Sequence, residues 1–162
     1  MEKEFTELIE SYKYCLIKIC NTFFYRHLYA EDFLQEIIIR LWKAYPTFRG
    51  ESSVKTWLYR IALNTSIDIL RKQIIMPKLQ SISDKEYQLQ ESNHWSVGED
   101  VDFLYGLINQ LSENDKSLII LYLDEFSYKE ISEITGLSQS NVGVKISRIK
   151  KQLKTIMDNG NN

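Results

Sequence analysis

The sequence has few of the residues that interrupt helices and few that build covalent or metal frameworks. It has two prolines and six glycines in 162 residues, so little of it is forced out of long helices. Its two cysteines, Cys15 and Cys20, lie five positions apart in a helical pattern. That spacing suits neither a zinc pair nor a disulfide framework, and both are read as reduced helix cysteines. Its two histidines, His27 and His94, lie apart in the chain and neither falls in a ligand or catalytic motif. No glycine-rich phosphate loop and no nucleophile elbow occurs. No catalytic centre, cofactor or metal is therefore expected. No run of about 18 apolar residues exists, which excludes a membrane-spanning helix. The first residues, MEKEFTELIE, are acidic and amphipathic rather than basic and then apolar. They are not read as a signal peptide, and a cytoplasmic location is expected.

What is present is charge, arranged in blocks. The chain carries a net charge of −2. Residues 1–39 hold seven acids and four bases, whereas residues 40–73 hold two acids and seven bases. Residues 98–136 hold nine acids against two bases, and residues 137–157 hold five bases and no acid. Two basic blocks alternating with two acidic ones can meet a polyanion at two places while the acidic faces meet something else.

Hydrophobic period and capping residues predict an all-α chain of two helical domains. The spacing of Phe5, Leu8, Ile9, Tyr12, Leu16, Ile19 and Phe23 predicts a first helix. The stretch AEDFLQEIIIRLWKAY predicts a second, with Leu34, Ile37, Leu41, Trp42 and Tyr45 on one stripe, ended by Pro46. After the loop TFRGESS, Ser52 or Ser53 caps a third helix with apolar positions Val54, Leu58, Ile61 and Thr65. Residues 74–98 lose the period, are rich in Gln and Ser and include Pro77 and Gly98, so they are read as a linker between domains 1–73 and 99–157. Four helical pieces are expected beyond it. One covers about 99–110. Ser112 starts the next, with Asp115 in the capping-box position. Ser127 and Glu130 form a capping box, Gly136 closes that short helix, and Ser138 caps the last one.

In the last helix Val142, Ile146, Ile149, Leu153 and Ile156 form one apolar stripe. The opposite face carries Ser140, Asn141, Val144, Ser147, Arg148 and Lys151. A short helix, a turn containing glycine and a longer basic helix make a helix-turn-helix, whose second helix presents polar and basic groups to a major groove. The N–H groups near Ser138 suit a phosphate. In the other basic block, residues 47–64, bases interleave with Phe48, Trp57 and Tyr59, a mixture suited to single-stranded DNA. Phe48 and Trp57 also fit a core, Trp57 the better of the two because it lies near the stripe of Val54, Leu58 and Ile61.

Residues AEDFLQEIIIRLWKAYPTFRGESSVKTWLYRIALNTSIDILRK resemble the second region of extracytoplasmic-function (ECF) sigma factors. LSENDKSLIILYLDEFSYKEISEITGLSQSNVGVKISRIKKQLK resembles their fourth region. The resemblance implies a non-enzymatic initiation factor that binds core RNA polymerase, through its largest clamp subunit and its flap, and directs it to promoters. It implies polymerase contacts at Asp32, Gln35 and Glu36. It implies a pocket for a flipped base of the minus-ten element on the loop Phe48, Arg49, Gly50, Glu51 and Ser52, with Arg60 and Asn64 on the following helix. It implies duplex reading of the minus-thirty-five element by the last helix. Many such proteins are held inactive by an anti-sigma factor. One departure stands out: Val142 is followed by Gly143 and Val144, where many relatives have Lys or Arg. The base-reading set is then expected to be Ser140, Asn141, Val144 and Ser147, with Lys145, Arg148 and Lys151 on phosphates and Val144 suited to a thymine methyl. The alternative is a dimeric helix-turn-helix regulator that binds a palindrome without polymerase. That alternative leaves the FRGES loop and the ED-x-x-QE helix without a purpose.

Overall fold

The computed structural model describes residues 1–75 and 98–160. The linker expected over 74–98, apart from residues 74, 75 and 98, lies outside the described residues, as does His94. The chain divides into two compact units, Met1–Ser96 and Val97–Asn162. Every regular element among the described residues is helical.

In the first unit α1 (Glu2–Phe24), α2 (Ala30–Ala44) and α3 (Val54–Ile75) pack each against the other two. The expected stripes supply much of the core. Phe5, Leu16, Ile19 and Phe23 of α1 and Ile37 and Leu41 of α2 are buried. Leu8, Ile9, Tyr12, Leu34, Trp42 and Tyr45 reach only partial burial. The third helix is covered over a wider arc than its expected stripe: Thr56, Trp57, Leu58, Tyr59, Ala62, Leu63, Thr65, Ser66 and Ile69 are all buried. Its polar positions tolerate this because their hydroxyls bond back to their own helix. Thr65 Oγ1 donates to Ile61 O at 2.7 Å and Ser66 Oγ to Ala62 O at 2.9 Å. A buried hydroxyl with a partner avoids the cost of an orphaned one.

Pro46 does not end α2 abruptly. The chain tightens into a 3-10 turn, Tyr45–Thr47, with the proline inside it. Proline is tolerated at the start of such a turn because its missing N–H has no partner to lose there. Thr47 Oγ1 donates to Ala44 O at 2.8 Å and the Phe48 N–H to Tyr45 O at 3.1 Å. Of the two serines expected to cap α3, Ser53 does so, its Oγ accepting the Thr56 N–H at 3.1 Å.

In the second unit α7 (Gln139–Gly160) packs against α4 (Glu99–Ile108), α5 (Glu113–Leu123) and α6 (Tyr128–Thr135). Six successive residues of α5, Lys116–Leu121, are buried, which marks it as a central helix. The Ser112 cap is one-sided, with Ser112 Oγ accepting the Asp115 N–H at 3.3 Å. The cap of α6 is reciprocal: Glu130 N–H donates to Ser127 Oγ at 3.2 Å and Ser127 N–H to Glu130 Oε2 at 2.7 Å. Gly136 closes α6 at φ 78°, a left-handed conformation that glycine adopts without penalty. Val142, Ile146 and Ile149 of the last stripe are buried. Leu153 and Ile156 are partly so.

Candidate functional site

The loop between the 3-10 turn and α3 forms one wall of a cavity of about 390 Å³. Thr47, Phe48, Arg49, Glu51, Ser52, Trp57 and Arg60 line it. Five of the residues expected on sequence grounds are thus brought together: Phe48, Arg49, Glu51, Ser52 and Arg60. Gly50 is not on the lining, but its φ of 73° turns the loop, and a side chain there would be strained. Asn64 lies one turn beyond Arg60 on α3 and is exposed outside the cavity.

Two lining residues, Thr47 and Trp57, fall outside the expected set. Trp57 combines both expected roles, since it is only 9% exposed and its ring forms part of the wall. Its ring meets Phe48 at a centroid distance of 4.9 Å and Tyr45 at 6.4 Å. Tyr45 in turn meets Phe5 of α1 at 5.4 Å. A row of rings therefore runs from α1 to the loop, and such contacts fix ring orientation as well as burying area. Tyr59, the third aromatic of the basic block, is fully buried and takes no part in the wall. The cavity thus offers aromatic faces beside two guanidinium groups, a carboxylate and hydroxyls. That combination can stack a planar base, pair with its edge and hold a phosphate.

On α2, Asp32 and Gln35 are exposed at i, i+3 spacing, so they share one face. Glu36 is already engaged. Its Oε1 accepts from Arg40 Nε at 3.2 Å, and Arg40 Nη1 donates to Asp68 Oδ2 at 2.8 Å, which ties α2 to α3. The hydrogen bond to Asp68 leads the interactions that hold the Arg40 guanidinium above its usual pKa, against the opposing effect of burial.

On α7, Ser140, Asn141, Val144, Ser147, Arg148 and Lys151 are exposed and Lys145 is half-buried. Ser138 Oγ accepts the Asn141 N–H at 3.2 Å and lies 3.3 Å from Ser140 Oγ, so its side chain serves the helix start. Lys150, one of the five bases of the segment, is engaged within the fold. Its Nζ donates to the Tyr122 hydroxyl at 2.6 Å and lies 3.9 Å from the Tyr122 ring centre. It therefore pins α7 to α5. No periodic signal marks this contact, because its partners are 28 residues apart. Among the described residues no cluster of His, Cys, Asp and Glu could hold a metal, and no helix is long and apolar enough to cross a membrane.

Residues 8–74 match Sigma-70 region 2, and residues 104–153 match Sigma-70, region 4. The chain belongs to the sigma-70 family of RNA polymerase sigma factors. Several of its relatives are named ECF RNA polymerase sigma factors. ECF RNA polymerase sigma factor SigX of Bacillus subtilis is 30% identical over 166 residues, covering 98% of this chain and 86% of the relative. SigM of the same organism is 33% identical over 144 residues, covering 85% and 84%. The fold is similar to that of the sigma factor RpoE from Bartonella quintana, solved with the anti-sigma factor NepR. The TM-score is 0.75 at 24% identity, over 96% of this chain and 98% of that one.

Proposed function

We propose that this chain binds core RNA polymerase, carries it to promoters and helps to open them, with no chemistry of its own. The observation that carries this reading is the cavity of aromatic rings and guanidinium groups at the FRGES loop, on a chain whose helix-turn-helix ends in a helix with five bases and no acid over residues 139–157. The cavity suits an unstacked base of the minus-ten element, since extruding a base costs a few kcal/mol that a stacking pocket offsets. Arg49 and Arg60 hold the backbone, and Asn64 reads a base edge beside the cavity. The exposed face of α7 reads the minus-thirty-five duplex through Ser140, Asn141, Val144 and Ser147, while Lys145, Arg148 and Lys151 neutralise phosphates. Asp32 and Gln35 offer a polar, acidic face to a basic coiled coil of the polymerase clamp. The two domains, 1–73 and 99–157, act on the two promoter elements from the cytoplasm, and an anti-sigma factor is the partner expected to hold the chain inactive.

Run-off transcription with core polymerase on a library of promoters tests this. Initiation from a defined subset that requires the chain is the expected result. Binding to a palindrome as a dimer, with no effect on initiation, would overturn it in favour of a conventional helix-turn-helix regulator.

A further inference from the structure

Gly143 sits near the start of α7, where glycine weakens a helix relative to alanine. The space its side chain would fill is already taken. A Cβ at this position would lie 3.2 Å from Tyr128 Cε2 and 3.7 Å from Tyr128 Cδ2. Tyr128 is the first residue of α6, and the reciprocal bonds between Ser127 and Glu130 fix its backbone there. Its ring therefore rests on the backbone of the recognition helix. Tyr128 is 42% exposed and Val144, the next residue of α7, is 57% exposed. An aromatic ring seated on a glycine and, one residue further on, a branched apolar side chain thus interrupt a helix surface otherwise made of Ser140, Asn141 and Ser147.

We infer that Tyr128, Gly143 and Val144 form an apolar notch that reads the C5-methyl group of a thymine in the promoter duplex. The inference rests on the duplex-reading role proposed for α7 and names the base it selects. In the major groove only thymine among the four bases presents a methyl group, and apolar contact is what distinguishes it. The missing Cβ of Gly143 leaves room for the Tyr128 ring to seat on the helix backbone, which keeps an aromatic face beside Val144 on the exposed side. The preceding helix of the motif, through Tyr128, thereby becomes a determinant of sequence preference rather than a support alone.

The test uses the full chain bound to core polymerase. A promoter sequence is first selected from a library randomised upstream, and each of its minus-thirty-five thymines is then replaced by deoxyuridine, which removes only the methyl group. One replacement is expected to weaken binding about fourfold, the factor that burying one methyl-sized group supplies. Tyr128→Ala and Gly143→Arg are expected to abolish that difference between thymine and deoxyuridine. Gly143→Ala, which crowds the ring, is expected to reduce it. A selected promoter at which every deoxyuridine is silent would overturn the notch and leave the duplex-reading role standing. A methyl effect unchanged in both Tyr128→Ala and Gly143→Arg would overturn the assignment to these residues. Selection of no upstream sequence at all would remove the duplex-reading role and the notch with it.

Discussion

The two surfaces proposed to meet DNA solve opposite problems. The surface in the first unit is concave, aromatic and partly buried, with Trp57 serving as both core and wall. The surface in the second unit is the exposed, polar side of a helix whose other side is core. A base taken out of its stack needs a ring to replace its neighbours, whereas a base still in its duplex offers only its edge, which a protruding helix can reach. The shape of each surface therefore follows from the state of the nucleic acid it is proposed to receive. It also follows that the first surface is coupled to stability and the second is not.

This contrast can be broken by mutation. Trp57→Ala should show the largest effect, costing about 3–5 kcal/mol of stability in the first unit as large buried aromatics do, together with loss of promoter opening. Thermal unfolding and a strand-opening assay measure both; Trp57→Phe should recover most of the stability. On the exposed side of the same helix, Asn64→Ala should cost about 1–3 kcal/mol at a single promoter position with an unchanged melting temperature. An equal loss on all promoters would make Asn64 structural. On α2, Asp32→Lys should weaken core polymerase binding roughly tenfold in a pull-down titration without altering the fold. Glu36→Gln should instead cost stability, by at most about 1 kcal/mol because the ion pair is half-exposed. In the second unit, Lys151→Ala or Arg148→Ala should weaken binding on every sequence and reduce the log–log salt slope by about one. Neither change should move the melting temperature.

The smallest effect separates the units by pH. His27 in the first unit is half-buried among aromatic rings, and burial pushes its pKa below the usual 6.5. The folded state therefore disfavours the proton that the unfolded state accepts. The stability associated with neutral His27 is full above pH 6.5 and falls as pH drops below that value, until the folded state also takes up the proton. In the second unit Lys116 is buried with its Nζ donating to Asn109 Oδ1 at 3.1 Å, and burial lowers its pKa from 10.5. Its stability loss begins as pH falls below 10.5, so the penalty is already developed at neutral pH. Hydrogen exchange should show α1 and α2 losing protection between pH 7 and 5, less so in His27→Phe. Lys116→Met should raise protection of α5 at neutral pH.

Features that depend on near neighbours along the chain are legible in the amino-acid sequence itself. The Ser127–Glu130 box, the Gly136 turn, the Ser138 cap and the alternation of apolar residues along α7 all follow from interactions within one helical turn. The cavity loop is legible as a set of residue types, and five of its expected members do converge. Which side chains are engaged across helices is not legible, because those partners are far apart in the chain. The Glu36–Arg40–Asp68 chain spans α2 and α3, and Lys150 reaches back to Tyr122. The seat of Tyr128 over Gly143 likewise joins two helices. The wide buried face of α3 is hidden for a related reason: Ser66 looks solvent-facing until its hydroxyl is seen to bond its own helix.

Cys20 gives the first unit a built-in clock. Its thiol is buried between α1 and the start of α2, donates to Ala30 O at 3.3 Å and is pushed up to about 12 by burial. At pH 8 the folded state therefore holds the reactive thiolate at a fraction on the order of 10⁻⁴. An alkylating reagent can label Cys20 only while α1 and α2 are apart, whereas half-buried Cys15 on the same helix reports ordinary access. The ratio of the two labelling rates thus counts how often this helix pair opens. If polymerase or an inhibitor clamps the pair, the ratio falls, so one native thiol times the unit's opening without any added probe.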